Sequence, residues 1–555
     1  MKSEYLLEIG CENLPSGYIG GALEQLRACF ESGLSGERIE FDSLAVSGTP
    51  NRLVAHVKGI ATQQSSSVET VPGPPVSVAI DGEGKFTKAA AGFARREGVA
   101  PEDLERISTE RGEYLAIVRK ITGKDTGAVL SEMVPGWISG IRFPKVMKWE
   151  ESGFRFARPV RWILSLFGDR VLEFRVGPVT SAGVTRLSPY FEQFVGIDSV
   201  AQYFDTLSSA GIVLDQEERK RTVAGLAAKA ATEAGGRLVE DDELCGMVAN
   251  LVESPVVMSG SFDPGFLRLP REVIVTALKS HQRYFSVEDA EGNLKPSFIA
   301  FADGATRNAK EITRGYERVL QARLADAGFY FHEDSSRPIE EMADKLRDIV
   351  WLEGLGTLRE KSERIASLAS KIIAGAGMSG GEAETYAGRA AQLIKADIAS
   401  EMVKDGKEFT LLQGYIGREY SRISGEPEVV SEAIYEHYFP RFSGDRLPEG
   451  QTGTVLSLAD RFDTIAGCFI QGLGPTGSQD PYALRRHAIS ILRILIEKRI
   501  ELGIDRTLRE SFSLFVPGRD GSRKDEMETL RLKAMELFGQ RLLGMLRSEG
   551  FDHDL

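Results

Sequence analysis

Hydrophobic and polar positions divide this chain into a mixed first half and a helical second half. "EYLLEIG" and "RLVAHVKGI" predict strands, with the helical "YIGGALEQLRACFESGL" between them and a turn marked by Gly48, Pro50 and Asn51. A flexible or extended stretch, "TQQSSSVETVPGPPVS", follows. It leads into a helix, "KFTKAAAGFARREG", closed by Gly98, and a new helical start at "APEDLERI" with Pro101 in its first turn. The next section opens with "YFEQFVGIDSVAQYFDTLSSAGI", carries a long helix in "QEERKRTVAGLAAKAATEAGG", and passes through the strand-like "VVMSG" and "PSFIAFADG". From about Pro338 onward nearly every apolar residue recurs at helical spacing, so the fold class is a multidomain α+β chain ending in all-α parts.

Length and composition limit what those parts can do. At 555 residues the chain is too long for one core and predicts several domains. Hydrophobic residues at 42% and charged residues at 27% are ordinary for a folded protein, and no apolar run reaches the roughly 20 residues of a membrane span. The start "MKSEYLLEIGCENLP" lacks a signal-peptide pattern, so the expected location is cytoplasmic. Cys11, Cys29, Cys245 and Cys468 are scattered without zinc spacing. A net charge of −13 argues against nonspecific coating of nucleic acid and confines any such contact to local patches.

One helical stretch places a carboxylate among apolar positions. In "LIKADIASEMV" the spacing of Leu393, Ile394, Ile398, Met402 and Val403 predicts an amphipathic helix with Asp397 near its buried stripe. Phosphohydrolases of the HD type hold metals with an upstream His, a His-Asp pair and a later Asp. Here Ala396-Asp397 stands where the pair would be, and "LADRFDT", with Asp460 and Asp463, is the later helix. Between Pro338 and Asp460 the only histidine is His437, so the nitrogen ligands are missing. No bound metal is expected, and Asp397 is expected to bond Lys395, a nearby arginine or a backbone amide. A metal-dependent phosphohydrolase acting on nucleotides or RNA ends is the alternative reading. Phosphate-cradling and dinucleotide-binding glycine motifs are absent, as are local nucleophile signatures, and no catalytic residue is assigned.

Basic patches interleaved with aromatics remain. In "IRFPKVMKWEESGFRFARPVRWILSLFGD", Arg142, Lys145, Lys148, Arg155, Arg158 and Arg161 lie among Phe143, Trp149, Phe154, Phe156 and Trp162, a mixture suited to phosphates and unpaired bases. The bland reading makes half of those rings core with arginines rimming it. "LKSHQRYFSV" gathers Lys279, His281, Arg283 and Tyr284. "DPYALRRHAISILRILIEKR" puts Arg485, Arg486, Arg493, Lys498 and Arg499 on one helix, with Asp480 as N-cap and Pro481 in the first turn. A solvated helix face is the default for that third patch.

These strings together resemble one family. "LLEIGCENLP", "FPKVMKW" with "FARPVRWILSLFGD", "SHQRYFSVEDAEGNLKPSFIAFAD", "VLQARLADAGFYFHED", "KADIASEMV", "FTLLQGYIGREYS", "LADRFDTIAGCF" and "DPYALRRHAISILRI" follow the block order of the β subunit of the bacterial heterotetrameric glycyl-tRNA synthetase. The resemblance covers the whole chain. It implies an α2β2 partnership in which the α subunit supplies the class II active site and binds glycine, ATP and magnesium. This chain would bind no cofactor itself and would hold tRNA(Gly). It further implies four parts: 1–185, an acceptor-binding part like the body and tail of CCA-adding enzymes; 186–335, a B3/B4-like domain; 336–478, a degenerate HD-like helical domain containing Lys395, Asp397 and Asp460; and 479–555, a partial DALR-like helical anticodon-binding domain. The family pattern continues into a longer helical C-terminus, so the last bundle is expected to be incomplete. The tRNA-binding residues this suggests are Arg142, Lys145, Lys148, Arg155, Arg158, Arg161, Lys279, Arg283, Arg485 and Arg486.

Overall fold

The strand at the start of the chain, Lys2–Cys11, is the middle of a five-stranded sheet. Arg52–Ala61 and Val160–Phe167 pair antiparallel on its two sides, with Ser43–Thr49 and Arg170–Val171 outermost. Both faces are covered, which is why "YLLEIG" reads as nearly continuous apolar sequence. Tyr5, Leu7 and Ile9 pack under the helices Ser16–Gly36 and Thr126–Gly140. Leu6 packs on the other face with Leu164, Leu166, Tyr203 and Leu207, the last two from the helix Val200–Ser209. Glu8 points to that second face and is fully buried, which requires a partner.

In this computed structural model residues 2–82, 84–109, 112–188, 194–304, 307–405, 409–477, 479–515 and 524–551 are described. They form two units, Met1–Ser259 with Ile299–Glu311 and Gly260–Phe298 with Ile312–Leu555. The first unit also holds a three-stranded sheet, in which Gly112–Ile121 runs between Ser67–Pro75 and Glu105–Thr109. The helix Lys88–Glu97 packs near it and ends on Gly98 at φ 73°, a left-handed stop. The helix expected to start at Pro101 is only a single turn, Pro101–Asp103, because the chain then pairs as the strand Glu105–Thr109. The beginning of "YFEQFVGI", residues 190–193, lies outside the described residues.

The second unit is dominated by helices, among them Leu358–Gly375, Glu382–Leu393, Tyr415–Ile423, Gln451–Ile470 and Leu484–Glu497. Helix Gln451–Ile470 is its axis, buried along almost its whole length. The architecture is thus mixed α+β with several small sheets. No helix of the described residues is long and apolar enough to cross a membrane.

The expected single helix over "LIKADIASEMV" is not formed. Helix Glu382–Leu393 stops, Lys395 turns left-handed at φ 64°, and a short 3-10 turn, Ala396–Ala399, leads into the helix Glu401–Asp405. Leu393, Ile394, Met402 and Val403 are still buried, and Ile398 is half-buried. A broken helix can meet the same burial demand as a continuous one, so apolar spacing did not reveal the break. Similarly, Lys498 and Arg499 lie beyond the end of helix Leu484–Glu497, with Arg499 left-handed at φ 55°, so they do not share the face predicted for them.

Candidate nucleic-acid interface

Gly10 makes room for the first site. It pairs with Arg52 on one side and Trp162 on the other, and a Cβ at Gly10 would lie 1.9 Å from the Trp162 ring. The indole therefore lies flat over the strand. Its Nε1 donates to Glu8 Oε2 at 3.1 Å, and the Arg52 guanidinium sits 5.6 Å from its centroid. Arg52, only 1% exposed, donates from Nη1 to Glu8 Oε1 at 2.7 Å and from Nε to Glu253 Oε1 at 2.8 Å. Its Nη2 reaches the Arg186 carbonyl at 2.9 Å. The Thr49 hydroxyl donates to Glu253, and the Thr185 hydroxyl donates to Glu8 at 3.0 Å. Burial works against the Arg52 charge, yet Glu253 and Glu8 more than offset it and keep it protonated. Glu253 is buried too, and Arg52 holds its carboxyl below the usual range.

This network floors a cleft of about 370 Å³ whose wall carries further cations. Arg158 is half-buried, with Nε on the Asn13 carbonyl at 3.2 Å and Nη1 on Met147 Sδ at 3.3 Å. Arg161 is half-exposed and donates from Nε to Glu12 at 2.8 Å. The Arg186 guanidinium lies 5.5 Å from the Trp162 ring and 5.8 Å from Phe194, which is 47% exposed. Strand pairing sets that last contact, because Arg186 and Phe194 are opposite each other across Val184–Arg186 and Phe194–Gly196.

The other residues singled out in the sequence are distributed as follows. Arg155 lines a separate, shallower cleft of about 620 Å³ with Arg175. Arg142, Lys145 and Lys148 are exposed, and the Arg142 backbone is held at both its N–H and its carbonyl by Gln25. The five aromatics of this patch do not project: Phe156 and Trp162 are buried, and Phe143, Trp149 and Phe154 pack against the core. Their spacing reflects a core edge, and the exposed ring near the cations is Phe194. In the second unit Lys279 lies on a wide helical turn, Ala277–Gln282, which Arg283 ends in a left-handed conformation at φ 60°. Arg283 donates to the Lys279 carbonyl at 2.9 Å, and Tyr284 stacks on Phe298 at 4.7 Å. Asp480 caps helix Leu484–Glu497, accepting the amides of Leu484 at 2.8 Å and Arg485 at 3.0 Å, although Ala483 occupies the N-cap position. Arg485 reaches the Gly477 carbonyl at 2.6 Å, and Arg486 is exposed.

A second charge cluster surrounds Asp397 and Asp460, two of the positions expected from the resemblance to form a degenerate HD site. Lys395 Nζ donates to Asp460 Oδ2 at 2.8 Å and lies 3.4 Å from His437 Nε2. Lys361 Nζ bridges Asp460 at 3.0 Å and Asp463 at 2.8 Å, and Arg364 also donates to Asp463 at 2.7 Å. Burial disfavours an ionised Asp460, but the two lysines hold its carboxyl well below the usual range. Burial drives His437 down to about 3, so it stays neutral with Nδ1 donating to the Ile434 carbonyl. Asp397 is fully buried and accepts the Gly414 amide, in keeping with the backbone-amide alternative. Burial raises its pKa. Lys395 thus pairs with Asp460, and Asp397 turns to a helix N-terminus. Among the described residues no group of three or more His, Cys, Asp or Glu is arranged to hold a metal.

Sequence reasoning missed Glu8, Arg52, Asn51, Glu253, Arg186, Phe194 and Lys361. Glu8 alone carried a readable signal: a carboxylate inside "LLEIG".

A family model described as glycyl-tRNA synthetase beta subunit matches residues 5–555. The glycine–tRNA ligase beta subunit of Clostridioides difficile is 38% identical over 556 residues, covering 100% of this chain and 79% of that protein. That of Desulforamulus reducens is 40% identical over 559 residues with the same coverage, and that of Trichlorobacter lovleyi is 40% identical over 544 residues, covering 97% and 78%. The chain therefore spans about four fifths of the length of these relatives.

Proposed function

The chain belongs to the glycyl-tRNA synthetase β-subunit family, and from that premise we propose that it holds tRNA(Gly) for ATP-dependent glycylation at the class II active site of an α subunit in an α2β2 assembly. Its contribution to rate is positioning. Holding the acceptor end in near-attack geometry converts an encounter between two molecules into a step within one complex, worth up to about 7 to 11 kcal/mol in well-oriented cases. Within this reading, 1–185 grips the acceptor end, 186–335 is B3/B4-like, 336–478 is HD-like without its metal ligands, and 479–555 begins the anticodon-binding bundle.

The observation that carries the reading is a cleft on a chain of net charge −13 whose wall carries Arg158, Arg161 and Arg186, over a floor where Arg52 is already paired with Glu8 and Glu253. On an acidic surface such a patch attracts a polyanion locally and disfavours it elsewhere. The phosphohydrolase alternative gains no such support, since Lys361 and Lys395 already supply positive charge to Asp460.

Replacing Arg155, Arg158 and Arg161 together with Ala tests this in the reconstituted α2β2 enzyme. The KM for tRNA should rise about tenfold or more, and the slope of log affinity against log salt should shrink by roughly 2 to 3, while glycyl-adenylate formation is unchanged. Unchanged tRNA affinity would refute the role of the patch.

A further inference from the structure

Beneath the cations of the cleft sits a polar group with an unmet demand. Asn51 is 2% exposed, lines the cleft, and neither its Oδ1 nor its Nδ2 has a hydrogen-bond partner among the described residues. A buried carboxamide oxygen left unpaired is costly, about 1 to 3 kcal/mol, and such groups in native folds mark places where a ligand or water completes the bonding. A phosphate or carboxylate oxygen can accept from Nδ2 but cannot complete the Oδ1, because both are acceptors. The missing partner must carry an N–H or O–H. Above Asn51 the Nη2 group of Arg158 makes no hydrogen bond among the described residues, and Arg161 is engaged only by Glu12. Those two arginines call for an anion. Next to the cleft lining, the exposed Phe194 ring lies 5.8 Å from the Arg186 guanidinium, which is itself 5.5 Å from the Trp162 ring. A flat, polarisable surface made of an aromatic ring and a guanidinium plane is what an unpaired base stacks on.

We propose that this cleft is a pocket for a single unpaired nucleotide, with its phosphate on Arg158 and Arg161, its base against Phe194 and Arg186, and an amine or hydroxyl donating to Asn51 Oδ1. The volume of about 370 Å³ lies at the small end of ligand sites, so it takes one nucleotide and not a duplex. The pocket deepens the tRNA-holding reading and rests on it for the ligand's class. Nucleotides of this chemistry come either within an RNA strand or free in solution.

The test titrates the full chain, by calorimetry, with a single-stranded RNA tetranucleotide and separately with the four nucleoside 5′-monophosphates. The tetranucleotide should bind at one saturable site. Phe194→Ala and Asn51→Leu should each weaken it at least fivefold. Tetranucleotide binding without monophosphate binding assigns the pocket to an RNA strand, and equal sensitivity of both ligands to the two variants assigns it to the nucleotide itself. Either result supports the pocket. Should Asn51→Leu lower the melting temperature, Phe194→Ala carries the test alone, because that ring is exposed. Absence of tetranucleotide binding, or binding unaffected by Phe194→Ala, overturns the proposal. If the arginine triple variant still raises the KM for tRNA in that case, the pocket fails and the tRNA-holding reading stands.

Discussion

Both units bury a cluster of charges, but the two clusters are built in opposite ways. In the first unit one cation, Arg52, sits between two carboxylates, Glu8 and Glu253, and the cluster floors an open cleft. In the second unit two ammonium groups, Lys361 and Lys395, share Asp460, while Asp463 takes Lys361 and Arg364. There the positive charge is redundant. Planar Arg52 meets two carboxylates with separate edges of one fork, which a lysine could not do. Each lysine instead places a point charge, and losing one leaves another in contact. A network around a single cation is fragile and orients its neighbours, whereas a redundant one tolerates the loss of one member.

The largest expected effect follows from this asymmetry. Arg52→Met strands Glu8 and Glu253 in the core without a cation and should destabilise the first unit by about 3 to 5 kcal/mol. Lys395→Met leaves Lys361 on Asp460 and should cost clearly less, about 1 to 3 kcal/mol. Urea unfolding of the two variants checks the order. Equal losses would break the distinction between the clusters.

A smaller effect separates the units by pH. Burial pushes the Asp303 carboxyl up to about 6, although it accepts the Ser254 and Glu253 amides at 2.9 and 2.8 Å. The folded state then holds a proton that the unfolded state has released, so this group's contribution falls as pH rises from about 4 to 6. His437 acts with the opposite sign. Its depressed value of about 3 means the unfolded chain binds a proton first, so stability in the second unit is lost as pH falls below about 6.5. Each group is worth up to about 1.4 kcal/mol per pH unit within its window. Hydrogen-exchange protection of strand Lys2–Cys11 should fall from pH 5 to 7 through Asp303. In helix Gln451–Ile470 the gain from His437 is opposed by the raised carboxyl of Asp397, and the fall should be smaller or reversed. Asp303→Asn should remove the first trend and leave the second.

The same contrast explains how much could be read from sequence. Strand Lys2–Cys11 and helices Ser16–Gly36 and Gln216–Glu233 were legible because local period and burial agree there. The first cluster was not, and of the second the family resemblance brought Lys395, Asp397 and Asp460 together but gave neither Lys361 nor the pairings. Arg52 meets partners 44 and 201 positions away, and Lys395 meets Asp460 across 65. Such pairings leave no local periodicity. The break at Lys395 is itself a long-range effect: a continuous helix through "LIKADIASEMV" would need right-handed backbone at Lys395, but the residue is left-handed with its ammonium on Asp460 and His437. In the patch Arg142–Arg161 the sequence left two readings open, rings for stacking or half of them core with arginines at the rim, and the rings prove to be the edge of a core. Aromatic residues look alike in sequence whether they face in or out.

The smallest effect on stability should come from the rim of the cleft, where Arg161 and Glu12 form an ion pair with both side chains about half exposed. Water and salt screen such a pair, so Glu12→Gln should change unfolding free energy by less than about 1 kcal/mol, against several for Arg52→Met at the floor. Its effect on binding should be easier to see. Glu12 is an anion beside the arginines that would meet phosphate, and it both occupies Arg161 and repels an incoming polyanion. Removing its charge should tighten tRNA binding by about twofold to fivefold at low salt, and the gain should fade as ionic strength rises past physiological values. Filter binding of tRNA(Gly) to the α2β2 enzyme across a salt series measures this. A weakened affinity in Glu12→Gln would show that the carboxylate orients Arg161 for the ligand and does not compete with it.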